Sequence, residues 1–203
     1  KKRYSEAVLA YEKAEPLWLK RRLFYDESVA YFERYKEARD ARFLAKGVSL
    51  LSQAVYDSPF DAFIFNEYAE KAYESGKISA TEAIPYYIEA FRLDPLNNLA
   101  YYRNLLSAYL AEGYREAFFE WEPRGSELLE RYSAKLRKNE HLTVLTDNPM
   151  YAFEIYALLA RHASTSEKRM TYLKKGADIR KFFVEKYGEM VREFGLEFSE
   201  NIF

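Results

Sequence analysis

The sequence predicts an all-α chain, an antiparallel helix-pair solenoid ending in a degenerate helical C-terminal cap. Three observations predict it. First, a small–large–small triplet at i, i+4 and i+7 recurs as Ala7-Tyr11-Ala14, Gly47-Leu51-Ala54, Ala83-Tyr87-Ala90 and, with its third place lost, Ala117-Trp121. Its starts step by 40, 36 and 34 residues, the spacing of helix-pair arrays. Second, Pro59 and Pro95 each follow the last small position of a triplet by five residues, where proline cannot continue a helix. Third, 49% of the residues are hydrophobic, 31% are charged, and Gly (7) and Pro (6) are scarce, so the chain can bury a core and has little room for long loops.

The elements follow in order. Residues 1–14 hold "YSEAVLAYEKA", with the triplet of a second helix whose first-helix partner is missing. That phase predicts an unpaired apolar stripe and favours removed upstream sequence, the alternatives being a helix that packs elsewhere or an N-terminal cap that needs no partner. Residues 26–57 hold the next pair, with Gly47, Leu51 and Ala54 on one stripe. Residues 61–94 pair "DAFIFNEYAEKAYES" with "AIPYYIEAFRLDP", divided at Gly76, where a left-handed helix end favours glycine. Residues 98–122 pair "NLAYYRNLLSAYLAE" with "YREAFFEW", divided at Gly113. Within each triplet, small residues let a neighbouring backbone approach and the large one fills the gap between helices.

After Trp121 the repeat fails. "EPRGS" predicts a helix break at Pro123 and Gly125. Residues 126–203 read as further helices: "SELLERYSAKLRKN" from Ser126, a loop or short extended piece at "LTVLTDNP", and "PMYAFEIYALLARHA" with Pro149 in its first turn. A last stretch opens on the capping-box spacing of "STSE", Ser164 to Glu167, and runs to about Phe194 with candidate interruptions at Gly176 and Gly188. These helices are expected to continue or cap the solenoid.

The pattern from Tyr4 to Trp121 resembles the tetratricopeptide repeat. "YREAFFEW", "YSEAVLAYEKA" and "EAIPYYIEAFRLDPLN" are similar to its second helix, and "YYRNLLSAYLAEG" is similar to its first. The turns after Pro95 and Gly76 hold one and two extra residues. The resemblance implies a right-handed solenoid whose first helices line a concave binding surface.

Much chemistry is excluded or unsupported. With no Cys, disulfides, thiol catalysis and Cys-ligated zinc are ruled out. Lys+Arg (31) nearly equals Asp+Glu (32), so the basic footprint of a nucleic-acid binder is missing and no nucleic-acid partner is expected. No apolar run approaches the roughly 20 residues of a membrane helix, so no membrane insertion by this segment is expected, although the reading leaves room for an upstream anchor. A single Gln beside abundant Glu, Lys and Arg leans towards a thermophile source. The two histidines, His141 and His162, lie outside any metal-binding helical spacing and read as surface or capping residues, His162 as a cation suited to a helix end. The pairs Glu116/Glu120 and Glu70/Glu74 read as solvated faces. Without a phosphate loop or a nucleophile elbow, neither a catalytic residue, a cofactor nor a metal is expected, and the chain reads as non-catalytic.

The expected function is protein–protein interaction, with a peptide or protein partner held in the concave groove. With Tyr68, Ala69, Leu105 and Leu106 as packing positions, helical offset places Phe63, Asn66, Glu70 and Tyr73 on the groove in one unit. Arg103, Ser107 and Leu110 take those places in the next, and Asn104 borders them. Phe63 and Tyr73 are more apolar than a solvated face requires, which suits a partner; the alternative is packing against a neighbouring repeat. Some repeats of the family clamp a terminal carboxylate with Asn and Lys on successive first helices. Asn104 holds the Asn place, Asn66 is one place off and the lysines are missing, so no clamp of that chaperone type is expected. A second expectation comes from "ARFLAKGVSLLSQAVYDSPFDAFIFNEYAEKAY". It looks similar to the soluble tails of bacterial O-antigen ligases and polymerases. That likeness implies the C-terminal domain of a polytopic membrane glycan ligase or polymerase with its catalytic residues outside this chain. The sequence leaves the compartment open, cytoplasmic or periplasmic.

Overall fold

The computed structural model describes residues 2–14, 23–95, 99–137 and 149–193. Among the described residues every regular element is a helix: α1 (Lys2–Ala14), α2 (Phe24–Ala38), α3 (Ala41–Asp57), α4 (Ala62–Glu74), α5 (Ala80–Leu93), α6 (Leu99–Ala111), α7 (Arg115–Arg137), α8 (Pro149–His162) and α9 (Ser166–Glu193). His141 and most of the loop before Pro149 lie outside the described residues. The chain folds as two compact units, Lys1–Asp94 and Pro95–Phe203.

The first unit holds α1 and the pairs α2/α3 and α4/α5. Local chemistry sets the ends of these helices. The Asp40 carboxylate caps α3 by accepting from the Arg42 amide at 2.9 Å. The Asp61 carboxylate caps α4 through the amides of Phe63 and Ile64, and Ser79 with Glu82 closes a full capping box at the start of α5. Between α4 and α5 the chain turns at Gly76, at φ 70°, and the Lys77 amide reaches back 2.9 Å to the Ala72 carbonyl.

The turns are short, so consecutive helices double back. Phe32 faces Gly47 across α2/α3, and the rings of Tyr68 and Tyr86 meet edge-on at 4.8 Å across α4/α5. The core joins Phe32, Val48, Leu51, Tyr68 and Ala72, with Tyr25, Leu44, Ile78 and Tyr86 packed around them. Burying a side chain such as Leu51 contributes about 2 kcal/mol. The small triplet positions have the role read from spacing. A Cβ at Gly47 would stand 2.6 Å from the Phe32 ring, while Ala54, Ala83 and Ala90 are buried at helix contacts. The stripe on α1 is partly covered: Val8 is buried against Ala30, Tyr31 and Leu50, with Ala7 and Tyr11 beside it, whereas Tyr4 and Leu9 are exposed.

The second unit holds α6/α7 and α8/α9, which also run antiparallel. The Tyr102 hydroxyl donates to the Trp121 carbonyl at 2.8 Å across the first pair, and the rings of Tyr156 and Tyr172 lie 6.4 Å apart across the second. Helix α6 also packs on α8.

Three boundaries differ from the sequence reading. The helix expected to break at Pro123 and Gly125 and restart at Ser126 is one continuous α7, Arg115–Arg137. Pro123 is exposed, so the amide it lacks costs one hydrogen bond on the solvent side. Gly125 is buried and serves a close approach: a Cβ there would lie 2.0 Å from the Tyr102 ring. The expected division at 122–126 therefore falls inside a helix, and the compact units part at Asp94 and Pro95 instead. The last helix is capped one residue later than the Ser164 register, because the Thr165 hydroxyl accepts from the Lys168 amide at 3.2 Å. Gly176, expected as an interruption, is buried within an unbroken α9.

Candidate functional site

In the first unit the four groove residues on α4 separate by burial. Asn66 is 3% exposed and belongs to the interior. Phe63, at 39% exposure, rests edge-on against Tyr25 of α2 with ring centroids 5.4 Å apart, so it packs on a neighbouring helix pair and still shows one edge. Tyr73 is exposed. Glu70 is half-buried and lies 3.7 Å from the Lys71 ammonium.

The surroundings of these residues are acidic. Burial, and after it the Glu70 charge, raises the Glu67 carboxyl. Burial first and Glu67 second push the Tyr25 hydroxyl up to about 12. Of the four, Phe63 and Tyr73 are exposed, Glu70 is half-buried and Asn66 is buried.

In the second unit the structure brings Arg103 and Ser107 of α6 together with α8. They line a cleft of about 270 Å³ with Glu154, Ala157, Leu158 and Arg161. The two walls share one register. Arg103, Ser107 and Leu110 stand at i, i+4 and i+7 on α6, and Glu154, Leu158 and Arg161 stand at the same offsets on α8.

Arg103 ties the walls together. Its Nε donates to Glu154 at 2.8 Å, its Nη1 donates to the Asn104 side chain at 2.5 Å, and its guanidinium lies over the Tyr151 ring at 5.4 Å. Asn104 is only 5% exposed, so this buried amide orients the arginine instead of meeting a ligand directly. Leu110 lines a second cavity of about 160 Å³, with Arg115, Phe118, Phe119, Arg161 and His162. Arg161 borders both spaces.

His162 differs from the capping cation expected of it. It is half-buried with its ring 5.7 Å from Phe118, and its pKa lies below the ordinary 6.5. Burial is the main cause, followed by the nearby charges of Arg115 and Arg161. The imidazole is therefore neutral at pH 7.

Glu154, Leu158 and Arg161 were missed because the sequence reading sought groove positions only on the first helices of the repeat units, here α4 and α6. The signal was present as its polar stripe, at the same spacing as on α6.

A polar network holds α7 to α9. Glu122 accepts from the Lys168 ammonium at 3.0 Å and from the Tyr172 hydroxyl. Burial and that carboxylate together raise the Tyr172 pKa well above its usual range.

The arrangement offers charge, hydrogen bonds and apolar walls. Among the described residues no three His, Asp or Glu side chains gather as a metal site, and no helix is long and apolar enough to cross a membrane. Several described charged groups pair within one helix, as in Arg34–Glu37, Arg92–Glu89 and Arg131–Glu127. No protein-family model matches the chain, and no curated protein matches it either.

Proposed function

We propose that the chain is a tetratricopeptide-like helical solenoid serving as a protein-interaction module, and that the α6–α8 face is where a peptide or partner segment docks. One observation carries this reading: Arg103 and Ser107 on α6 line one cleft with Glu154, Leu158 and Arg161 on α8. The cleft is open and narrow, with a carboxylate and two guanidiniums around an apolar floor. Such a surface recognises an extended segment by hydrogen bonds at its edges and side-chain burial between them. Each unit holds antiparallel helix pairs, α2/α3 and α4/α5 in the first and α6/α7 and α8/α9 in the second, and Gly47 makes a close triplet contact, which supports a helix-pair repeat.

Selection of a random peptide library on the intact chain tests the docking face. Enriched peptides should lose at least tenfold in affinity to Ser107→Trp, which fills the cleft from a partly exposed position, and should bind Tyr56→Ala unchanged. Enriched peptides indifferent to position 107 overturn the assignment.

A further inference from the structure

We propose that the cavity beside the C-terminus of α8 is a binding site for a carboxylate carried on an apolar or aromatic body. Three observations point there. Arg115, the first residue of α7, and Arg161, near the end of α8, both line the cavity. Neither makes an ion pair with a described residue, whereas Arg34, Arg42, Arg92, Arg103 and Arg131 each hold a carboxylate. Their charges act on a common point, because both disfavour protonation of the half-buried His162, which lines the same cavity. Two guanidiniums are therefore gathered around one concavity with no described counter-charge. Helix stability does not explain Arg115: the first turn of α7 is the positive end of its dipole, where a cation is disfavoured.

The rest of the wall selects the body of the ligand. Phe118 is buried and meets Phe119 edge-on at 5.4 Å, and Leu110 closes the space from α6. At about 160 Å³ the cavity is smaller than the roughly 300 Å³ at which drug-sized ligand sites begin. It takes one ring or short apolar group plus one carboxylate. Guanidinium forks match the planar geometry of that head group. The place is distinct from the first-helix positions where a chaperone-type clamp would stand, since Arg115 comes from the start of a second helix. Arg161 lines both spaces, and Ser107 lines only the docking cleft, so the two proposals are told apart at position 107.

The test is a nuclear magnetic resonance titration of the intact chain, following the Nε–H signals of Arg115 and Arg161. Benzoate should shift both saturably, while benzamide and inorganic phosphate should not. Arg115→Gln and Arg161→Gln should each weaken benzoate at least tenfold. Both side chains are exposed, so the fold should be retained, and an unchanged amide spectrum away from the cavity verifies it. N-acetylglycylphenylalanine separates the two sources of such a head group. Tighter binding than benzoate assigns the site to a chain terminus, and weaker binding assigns it to a free acid. Equal shifts with benzoate and benzamide, saturation by phosphate alone, or indifference to both substitutions overturn the proposal. Peptides that still depend on Ser107 in that event would leave the docking face standing.

Discussion

Close contacts in the second unit depend on single residues. Gly125 sits against the Tyr102 ring, so Gly125→Ala forces the ring or the helix to move and should cost about 3 kcal/mol in urea unfolding. In a Tyr102→Ala background the same change should cost under about 1 kcal/mol, and a cycle without coupling would show that the contact is not what excludes the methyl. His162 gives a prediction with a sign. Its folded pKa is lower than 6.5, so the folded chain binds fewer protons than the unfolded chain between those values. Its contribution to stability is complete above pH 6.5 and is lost as pH falls through the folded pKa. Proton-resonance titration should place His162 below 6.5, and Arg161→Gln should move it upward, since a nearby positive charge is removed.

Helix ends obey local chemistry, while helix interiors answer to their surroundings. The caps at Asp40, Asp61 and Ser79 stand where their side chains satisfy free amides. Pro123 shows the opposite case. Local rules end the helix there, yet α7 runs through because Leu128, Leu129 and Tyr132 beyond it are buried in the unit. Tertiary burial of three large side chains outweighs the roughly 3 kcal/mol penalty of an interior proline. Replacing Pro123 with Ala should therefore raise stability by up to about 3 kcal/mol, measured by urea unfolding. No gain would mean that the helix is broken there after all. The α1 helix lies at the other extreme. It buries Val8 but leaves Leu9 and Tyr4 exposed, and its amides should exchange with solvent faster than those of α3 and α5.

The whole molecule carries a nearly balanced charge, with a formal net of −1 at pH 7. Counter-ion release at a phosphate backbone needs a local cation surplus, and here several described cations hold carboxylates, as Arg92 holds Glu89 and Arg103 holds Glu154. With Lys+Arg (31) balanced by Asp+Glu (32), fluorescence anisotropy with a labelled DNA duplex at 150 mM salt should show no saturable binding by the intact chain. Saturation there would move the reading from protein partners to nucleic acid. Fractionation of native cells bears on the glycan-enzyme expectation. A large species retained by membranes after carbonate washing would favour it, whereas a soluble species near 24.0 kDa would leave a free-standing module.

The residues by themselves determined the helical class, most helix pairings and the buried stripes Gly47-Leu51-Ala54 and Ala83-Tyr87-Ala90, because helical periodicity is a property of a few neighbouring side chains. Gly47, Leu51 and Ala54 read as one buried stripe and are one. Two of the eight groove positions, Asn66 and Asn104, could not be sorted that way, since a helical offset gives a direction but not what lies across from it. Only packing decided that both amides are buried, that Phe63 leans on Tyr25, and that the α6 face meets Glu154, Leu158 and Arg161 from a helix about 50 positions away. Those contacts join residues distant in sequence, and burial of Tyr102 against Gly125 carries α7 past a proline that local rules would have made its end.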